Sequence, residues 1–497
     1  MVSSWKLCCS RIPQRWVFAV MGCLAGVNAY TMQISLSLAI TQMVVSAETS
    51  NSTSSDEFCP ASDSTNSSTG SGGSYEWNTY TQGVILSSFY WGYLFTQIPG
   101  GMLADKIGGK YVLGLSIFSS AIFTLLTPVV VEAFDSTGLI ILRILIGLGE
   151  GVTVPAMLEL VPRWSAPGEE STIATVVTSG SVLGTLLSMA LSGVLIQNSS
   201  MGWPLVFYVF GAAGVLWFFA WVLLCYNNPD VHPFITESEK NYLRKTTNCK
   251  KELVPTPWRH ILTSVPVWAL LIATIGDGFS YFTMVTDLPL YMSNVLNFSV
   301  QSNGFLSALP SLLMWIVSVA ASWVADWFIK TQKMSVTNVR KSFTAVAMVV
   351  PAIFIVTASY VGCNRVVVVV LFVLGMGFMG IGTTGIFINP IDLSPNYSGT
   401  IMGMKTTVSA LTGIAAPYLV GVLTPNQTVS EWRVVFWICF GFFLECALVF
   451  VIWGDGKVQY WNDPDFRVRL DNQQPVTKIQ KVENVARSNI TVELPLS

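Results

Sequence analysis

Arg143 and Glu150 stand within the run 138–162, which is otherwise mostly apolar or small. An ionisable side chain inside a spanning helix costs at least ~2.5–3.5 kcal/mol on insertion scales, so it needs a partner or a task. The i, i+7 spacing puts both on one helix face, two turns apart. A guanidinium presents a planar fork that fits carboxylate or phosphate, which makes Arg143 the candidate for holding a substrate anion. Glu150 is suited to coupling, taking up and releasing a proton as its surroundings alternate between wet and closed. The alternative is a permanent ion pair that only joins helices. Gly147, Gly149 and Gly151 beside them let backbones approach closely or let the helix bend.

Other polar groups share this setting. Lys405 lies about two turns into a later apolar run, so it either snorkels to the nearby surface or supplies a second cation to the substrate. Asp287, just before Pro289, is a candidate ion-coupling carboxylate, ranked above Asp392, which fits a gate, a cap or a latch. Gln33, Ser37 and Thr41 recur every fourth residue and share a face that lines a polar path or bonds a neighbouring helix. Gln33 and Asn389 complete the candidate substrate contacts. Gly375-x-Gly377-x-x-Gly380 spells a dinucleotide fingerprint but follows no strand, so it reads as helix packing.

Composition decides what positions these groups. Of 497 residues 52% are hydrophobic and 11% charged, against about 25% charged in a soluble protein. A bundle of spanning helices follows, since each needs about 20 apolar residues and no open structure satisfies its backbone in lipid. Twelve apolar runs fall at about 16–45, 80–104, 111–131, 138–162, 170–197, 203–226, 264–294, 303–326, 341–360, 365–391, 398–423 and 432–453. The first lacks a small-residue cleavage site and reads as a retained span. The charged interruption 227–262 contains four prolines and divides the chain into a six-helix half 1–226, a cytoplasmic linker 227–262, a second half 263–456 and a cytoplasmic tail 457–497. The loop 46–77 is rich in Ser, Thr, Asn and Gly.

Orientation follows from Lys and Arg, which are costly to translocate. Twenty-two of the 26 fall in loops and tails on one side, Arg365 and Arg433 on the other, and Arg143 and Lys405 within spans. Both termini are therefore expected in the cytoplasm. Asn51, Asn66, Asn198, Asn297 and Asn426 open glycosylation sequons on the opposite side, whereas Asn396 and Asn489 fall on the cytoplasmic side and are expected to stay unused. With net charge −2 and scattered basic residues, the chain has no footprint for nucleic acid. Its nine cysteines form no Cys-x-x-Cys, and its two histidines, His232 and His260, share one loop, so no metal site is expected. Cys59 and Cys363 lie in same-side loops where pairing is possible, and Cys8 and Cys9 are positioned for palmitoylation.

Gly101-Met102-Leu103-Ala104-Asp105-Lys106-Ile107-Gly108-Gly109-Lys110 follows the second run, and Ser322-Trp323-Val324-Ala325-Asp326-Trp327 closes the eighth, so Ala-Asp recurs six runs apart. The first stretch resembles the loop signature of the major facilitator superfamily. That resemblance makes Asp105, Lys106, Lys110, Asp326 and Asp392 candidate latch or gating residues. The segment from Arg143 through Gly147, Gly149, Glu150 and Gly151 to Pro155 resembles the fourth helix of its anion:cation symporter family, which contains sialin, the vesicular glutamate transporters and the sodium–phosphate cotransporters. Phe89 to Gly101, Asn303 to Pro310 and Asn389-Pro390-Ile391-Asp392-Leu393-Ser394-Pro395 agree with it.

The departures from the family concern the substrate. Organic-acid carriers usually have an Arg where Gln33 aligns, and glutamate carriers a His where Leu86 aligns. Pro390 replaces a common His, and Lys405 replaces a small polar residue. These changes point toward phosphate-cotransporter-like members. The expectation is an all-α, twelve-span protein of the major facilitator fold, a monomer that carries a small anion by alternating access with co-transported Na+ or H+ and no other cofactor. Its membrane is the plasma membrane or an endolysosomal or vesicular one. The rivals are a proton-coupled organic-acid exporter of an acidic organelle, as resemblance to sialin implies, and a non-transporting receptor. No nucleophile–base pair or metal cluster suggests an enzyme.

Overall fold

Helix ends are set locally. Asn78, Ser299, Ser335 and Asn364 each accept a hydrogen bond from the backbone N–H three residues on, and Thr428 with Glu431 forms a capping box, which satisfies donors a helix cannot pair internally. The computed structural model describes residues 13–45, 73–165, 170–247 and 256–463. Among them there is no strand, only an isolated bridge between Val44 and Tyr75.

Ten helical runs are long and apolar enough to cross a membrane. One of these, Gly109–Trp164, is 56 residues long, about 84 Å of helix against a bilayer core of about 30 Å. It turns back at Asp135 (φ 53°, ψ −145°), whose carboxylate accepts from Trp77 Nε1 at 2.8 Å. It is therefore two spans, and Thr79–Ile107, 29 residues long, makes the twelfth. They are α1 (Gln14–Met43), α2 (Thr79–Ile107), α3 (109–134), α4 (136–164), α5 (Glu170–Asn198), α6 (Pro204–Leu224), α7 (Val265–Asn294), α8 (Val300–Lys330), α9 (Val336–Tyr360), α10 (Arg365–Leu393), α11 (Ser398–Leu423) and α12 (Val429–Trp453).

Helices α1 to α6 pack on one another, as do α7 to α12, and the two sets meet mainly along α2 with α11 and α5 with α8. Large apolar side chains such as Trp323, Leu216 and Leu223 point outward, each at least two-thirds exposed. Such a surface suits lipid, not water. An even number of spans leaves both chain ends on one face, here the terminal face; the other is the far face. At the far face the sets touch backbone to backbone. A Cβ on Gly83 would lie 2.5 Å from the Pro417 carbonyl oxygen, and one on Gly304 2.7 Å from that of Met189. Toward the terminal face, Gly399 and Gly403 of α11 meet nothing. The two sets therefore close at the far face and part toward the terminal one.

Three details differ from the sequence reading. The linker contains a helix, Glu237–Thr247, and its Glu239 carboxylate accepts from the Gln14 and Arg15 N–H groups at 2.9 and 3.1 Å, capping α1. Helix α7 is not uniform: Thr283–Asp287 is a π-helical turn. Helix α10 loosens into a 3-10 turn at Gly380–Thr384. The Gly375 to Gly380 motif does pack helices, since a Cβ on Gly377 would strike Leu313 of α8 at 2.6 Å.

Candidate functional site

Glycine brings α4 against its neighbours. Gly147 presses on the Phe89 carbonyl of α2, Gly151 on that of Tyr93, and Gly149 on the Ser120 hydroxyl of α3. At this range Arg143 reaches across to α1: its Nη2 donates to the Gln33 carbonyl at 2.9 Å, and its Cζ lies 5.0 Å from the Phe89 ring centre. Arg143 is 4% exposed and Glu150 2%. Neither has an ion-pair partner within 4.0 Å among the described residues, and Arg143 Nε and Glu150 Oε1 have no hydrogen-bond partner. The permanent pair weighed above is thus not formed; the i, i+7 spacing, about 10.5 Å of rise, keeps the two on one face but apart.

Tyr90, which the sequence reading did not single out, joins this group to the second half. Its hydroxyl accepts from Gln33 Nε2 at 3.3 Å and interacts with the Arg143 charge and, across the halves, with Thr286 of α7. Its ring meets Phe282 edge-on at 4.8 Å and abuts Gly413 of α11. Tyr30 and Tyr93 interact in turn with Glu150. Thr41 bonds back to its own helix at the Leu38 carbonyl.

Asp287 ends the π-turn and is 1% exposed, with Oδ2 lacking a partner. Such turns accompany functional sites. Around it, Asn303 Nδ2 donates to the Pro289 carbonyl at 2.8 Å and Ser307 Oγ donates to Asn303 Oδ1 at 2.9 Å. A cavity of about 10 Å³ between α5, α7, α8 and α10 is lined by Thr185, Met284, Val285, Pro289 and Ser307 among others, enough for one water.

Lys405 does not snorkel. It is 6% exposed, with Nζ 4.4 Å from the Phe387 ring centre, and it interacts electrostatically with Asp277 of α7, a residue the sequence reading passed over. Asn389 is fully buried, and its Nδ2 donates to the Asp455 carbonyl at 2.7 Å, so it ties the segment after α12 to α10 instead of joining Arg143.

The latch candidates separate. Asp392 is engaged by both nitrogens of an Arg340 fork, at 2.6 and 3.2 Å, and Arg340 also donates to the Thr384 carbonyl at 2.7 Å. This bridge joins α9 to α10, and Arg340 was read before only as a loop charge. The counterpart in the first half is Glu159 of α4, which pairs with Arg163 and accepts from the Gly109 N–H at 3.1 Å. Lys110 Nζ donates to the Val222 carbonyl at 3.0 Å and sits 4.1 Å from the Tyr226 ring centre, binding α3 to α6. Lys106 and Asp326 are exposed, and the side chain of Asp105 lies outside the described set.

Asn198, the last residue of α5, and Asn297 and Asn426, in loops, are exposed at the far face, and the Asn426 amide donates to Glu431 at 2.8 Å. Asn396 is on the terminal face, bonded to Asn462. Asn51, Asn66, Asn489, Cys8, Cys9 and Cys59 lie outside the described residues; Cys363 is disulfide-bonded.

Known proteins agree with this architecture. The Major Facilitator Superfamily model matches residues 23–417. Sialin from Homo sapiens is 36% identical over 463 residues, 92% of this chain and 91% of its own. A "Putative inorganic phosphate cotransporter" from Drosophila ananassae is 36% identical, covering 93% and 96%, and vesicular glutamate transporter 1 from Bos taurus 32%, covering 92% and 80%. In fold the chain resembles a bacterial homolog of the human lysosomal transporter Spinster in its inward-facing, unoccupied conformation, with TM-score 0.67, 12% identity and 88% and 97% coverage. These relatives are transporters, not enzymes. With twelve spans, a shared superfamily model and three such relatives along almost its whole length, the chain belongs to the Major Facilitator Superfamily, within its anion:cation symporter family.

Proposed function

We propose that this transporter moves a small anion together with a cation, with Arg143 holding the anion and Glu150 coupling its movement. The observation that carries this reading is the Arg143 guanidinium, which lies in the bundle interior, points at α1 and has no carboxylate within 4.0 Å among the described residues. A buried cation of this kind is stable only with compensation, and an entering anion provides it with a matching fork. Gln33 and Tyr90 orient the guanidinium. Glu150, on the same face and equally unpaired, changes charge state or cation occupancy as the halves rock, and Asp287 is a second carboxylate available for coupling.

Inorganic phosphate and glutamate, which two of its relatives are named for, define the class to be tried. The far-face contacts and open terminal face correspond to one end of an alternating-access cycle. With Lys and Arg concentrated at the terminal face, that face is cytoplasmic and the state is inward-open.

Proteoliposomes test the reading. Labelled phosphate and labelled glutamate are offered under a sodium gradient at equal pH, then under a pH gradient without sodium. Accumulation of either probe above equilibrium, lost in Arg143→Ala, supports it. Absence of accumulation under both gradients, or an Arg143→Ala protein that accumulates like wild type, overturns it. Sodium-driven phosphate accumulation would also exclude the organelle exporter.

A further inference from the structure

The second half contains a charge group with no place in the reading above. Asp277 sits midway along α7 between Gly276 and Gly278. Gly276 lies so close to α12 that a Cβ there would meet the Phe442 carbonyl, Glu445 Oε2 at 2.8 Å and Cys446 Cβ at 2.9 Å, and Gly278 lies equally close to Thr412 Oγ1 of α11. The two glycines thus fix the backbone that carries Asp277 against both neighbouring helices. From α11, Lys405 faces it electrostatically, yet the two are not an ion pair within 4.0 Å among the described residues. Lys405 is more than nine-tenths buried, and its ammonium has no hydrogen-bond acceptor there, only the face of Phe387. Glu445 of α12 adds a second carboxylate, and its Oε2 is buried without a partner.

The groups that interact with Asp277 are Lys405 from α11, Cys446 from α12 and Tyr281 one turn further along α7, while Glu445 of α12 lies against the adjoining Gly276 and interacts with Cys446. The Tyr281 ring meets Phe282 edge-on at 5.5 Å, and Phe282 meets Tyr90 at 4.8 Å, so aromatic rings lie between this group and the Arg143 group.

We infer that Lys405 is the second half's anion contact and that Asp277 is its displaceable counter-ion, which binds one proton when Lys405 turns to the substrate. The physical reason is charge balance. Lys405 is the buried cation that faces Asp277, and Asp277 itself keeps partial exposure here, so water on the open side reaches its carboxylate. When an anion takes Lys405 away, Asp277 loses the cation that faces it among the described residues. A carboxylate left unpaired as the halves close over it binds a proton instead of staying charged. The proton enters from water on the open side and leaves when Lys405 returns, so one proton travels with each anion. A loose pair is what this exchange requires, because a tight bidentate bridge such as Arg340 with Asp392 would resist the anion.

This inference rests on the proposed anion transport, and the experiment separates the two. Phosphate and glutamate uptake into proteoliposomes is measured with a pH-sensitive dye inside, for wild type, Asp277→Asn, Lys405→Met and the double variant. Asp277→Asn is expected to lower KM about threefold or more and to move one proton fewer per anion; Lys405→Met is expected to raise KM about tenfold or more. The double variant should keep the high KM and likewise move one proton fewer per anion. If the double variant recovers wild-type KM and proton movement, the pair is structural and the inference is wrong. An unchanged proton-to-anion ratio in Asp277→Asn overturns it as well, while leaving anion transport standing. Should Asp277→Asn fail to fold, Asp277→Glu replaces it: retained proton movement with a shifted pH profile supports the inference, and an unshifted profile contradicts it. A wild type that carries neither probe removes the proposed function and this inference with it.

Discussion

Arg143 and Glu150 lie two turns apart on one face of α4 and do not bond to each other; Arg143 donates instead to the Gln33 carbonyl at 2.9 Å, and Glu150 Oε1 has no partner. Two buried opposite charges kept apart by helix rise are available for separate tasks. Arg143→Ala is expected to lower uptake kcat/KM by about 10- to 100-fold, the equivalent of about 1.5–3 kcal/mol for hydrogen bonds to a charged group. Arg143→Lys should recover little, since a single ammonium cannot hold the Gln33 carbonyl and an anion together. Glu150→Gln should lower accumulation against a gradient while anion exchange across the membrane persists. Equal loss of exchange and accumulation in Glu150→Gln would mean that Glu150 positions the anion site and does not couple it.

The close contact at the far face predicts a conformational lock. A Cβ on Gly193 of α5 would lie 3.1 Å from the Val300 carbonyl oxygen of α8 and 3.2 Å from Gly304 Cα. Gly193→Leu has to displace backbone, and overpacking of this kind costs about 1–3 kcal/mol. That cost falls only on the state closed at the far face, so populations should shift by about 5- to 150-fold toward the other. Spin labels at the far ends of α5 and α8 should report a longer distance. Gly403→Leu, which meets open space, should leave that distance unchanged.

What the sequence made legible has a physical pattern. Arg143, Glu150 and Asp287 were visible because charge within an apolar run is expensive and so conspicuous, and the twelve runs were visible for the same reason. Asp277 had an equal claim, but its partner Lys405 lies on another helix and only packing joins them. Arg340 was hidden in a group of basic residues counted for topology, although its fork holds Asp392. Tyr90 looked like one more aromatic in an apolar helix, since nothing in spacing shows that its hydroxyl meets Gln33 and Thr286. The π-turn at Thr283–Asp287 keeps every side chain apolar or small until Asp287, so no periodicity marks it.

The bridge between Arg340 and Asp392 joins α9 to α10 at the terminal face with three hydrogen bonds from one guanidinium. Its groups are 10% and 15% exposed, so solvent screens it only in part. Asp392→Asn keeps the shape and removes the charge, and is expected to cost about 2 kcal/mol, within the range for hydrogen bonds to a charged group. Thermal unfolding in detergent should show the loss. Arg340→Lys should be no better, because Lys cannot reproduce the fork. An unchanged melting temperature in both variants would show that the bridge forms only in part of the transport cycle.

His232 gives the linker a pH dependence whose sign can be worked out. Its Nδ1 accepts from the Phe234 N–H at 3.2 Å, which leaves Nε2 to donate to the Leu224 carbonyl at 3.1 Å, and the ring is packed against Trp164 and Tyr226. The fold therefore holds the neutral ring. Burial, aided by the Lys110 charge, lowers its pKa from the ordinary 6.5. When the folded pKa lies below the unfolded one, the unfolded chain binds the extra proton first, so stability is complete above about pH 6.5 and falls as pH drops through the window beneath it. The steepest slope one such group can add is about 1.4 kcal/mol per pH unit. Melting temperatures of wild type and His232→Gln, compared between pH 7.5 and 5.5, should converge as pH falls. Parallel profiles would show that His232 titrates alike folded and unfolded, and that the Phe234 N–H does not hold it neutral.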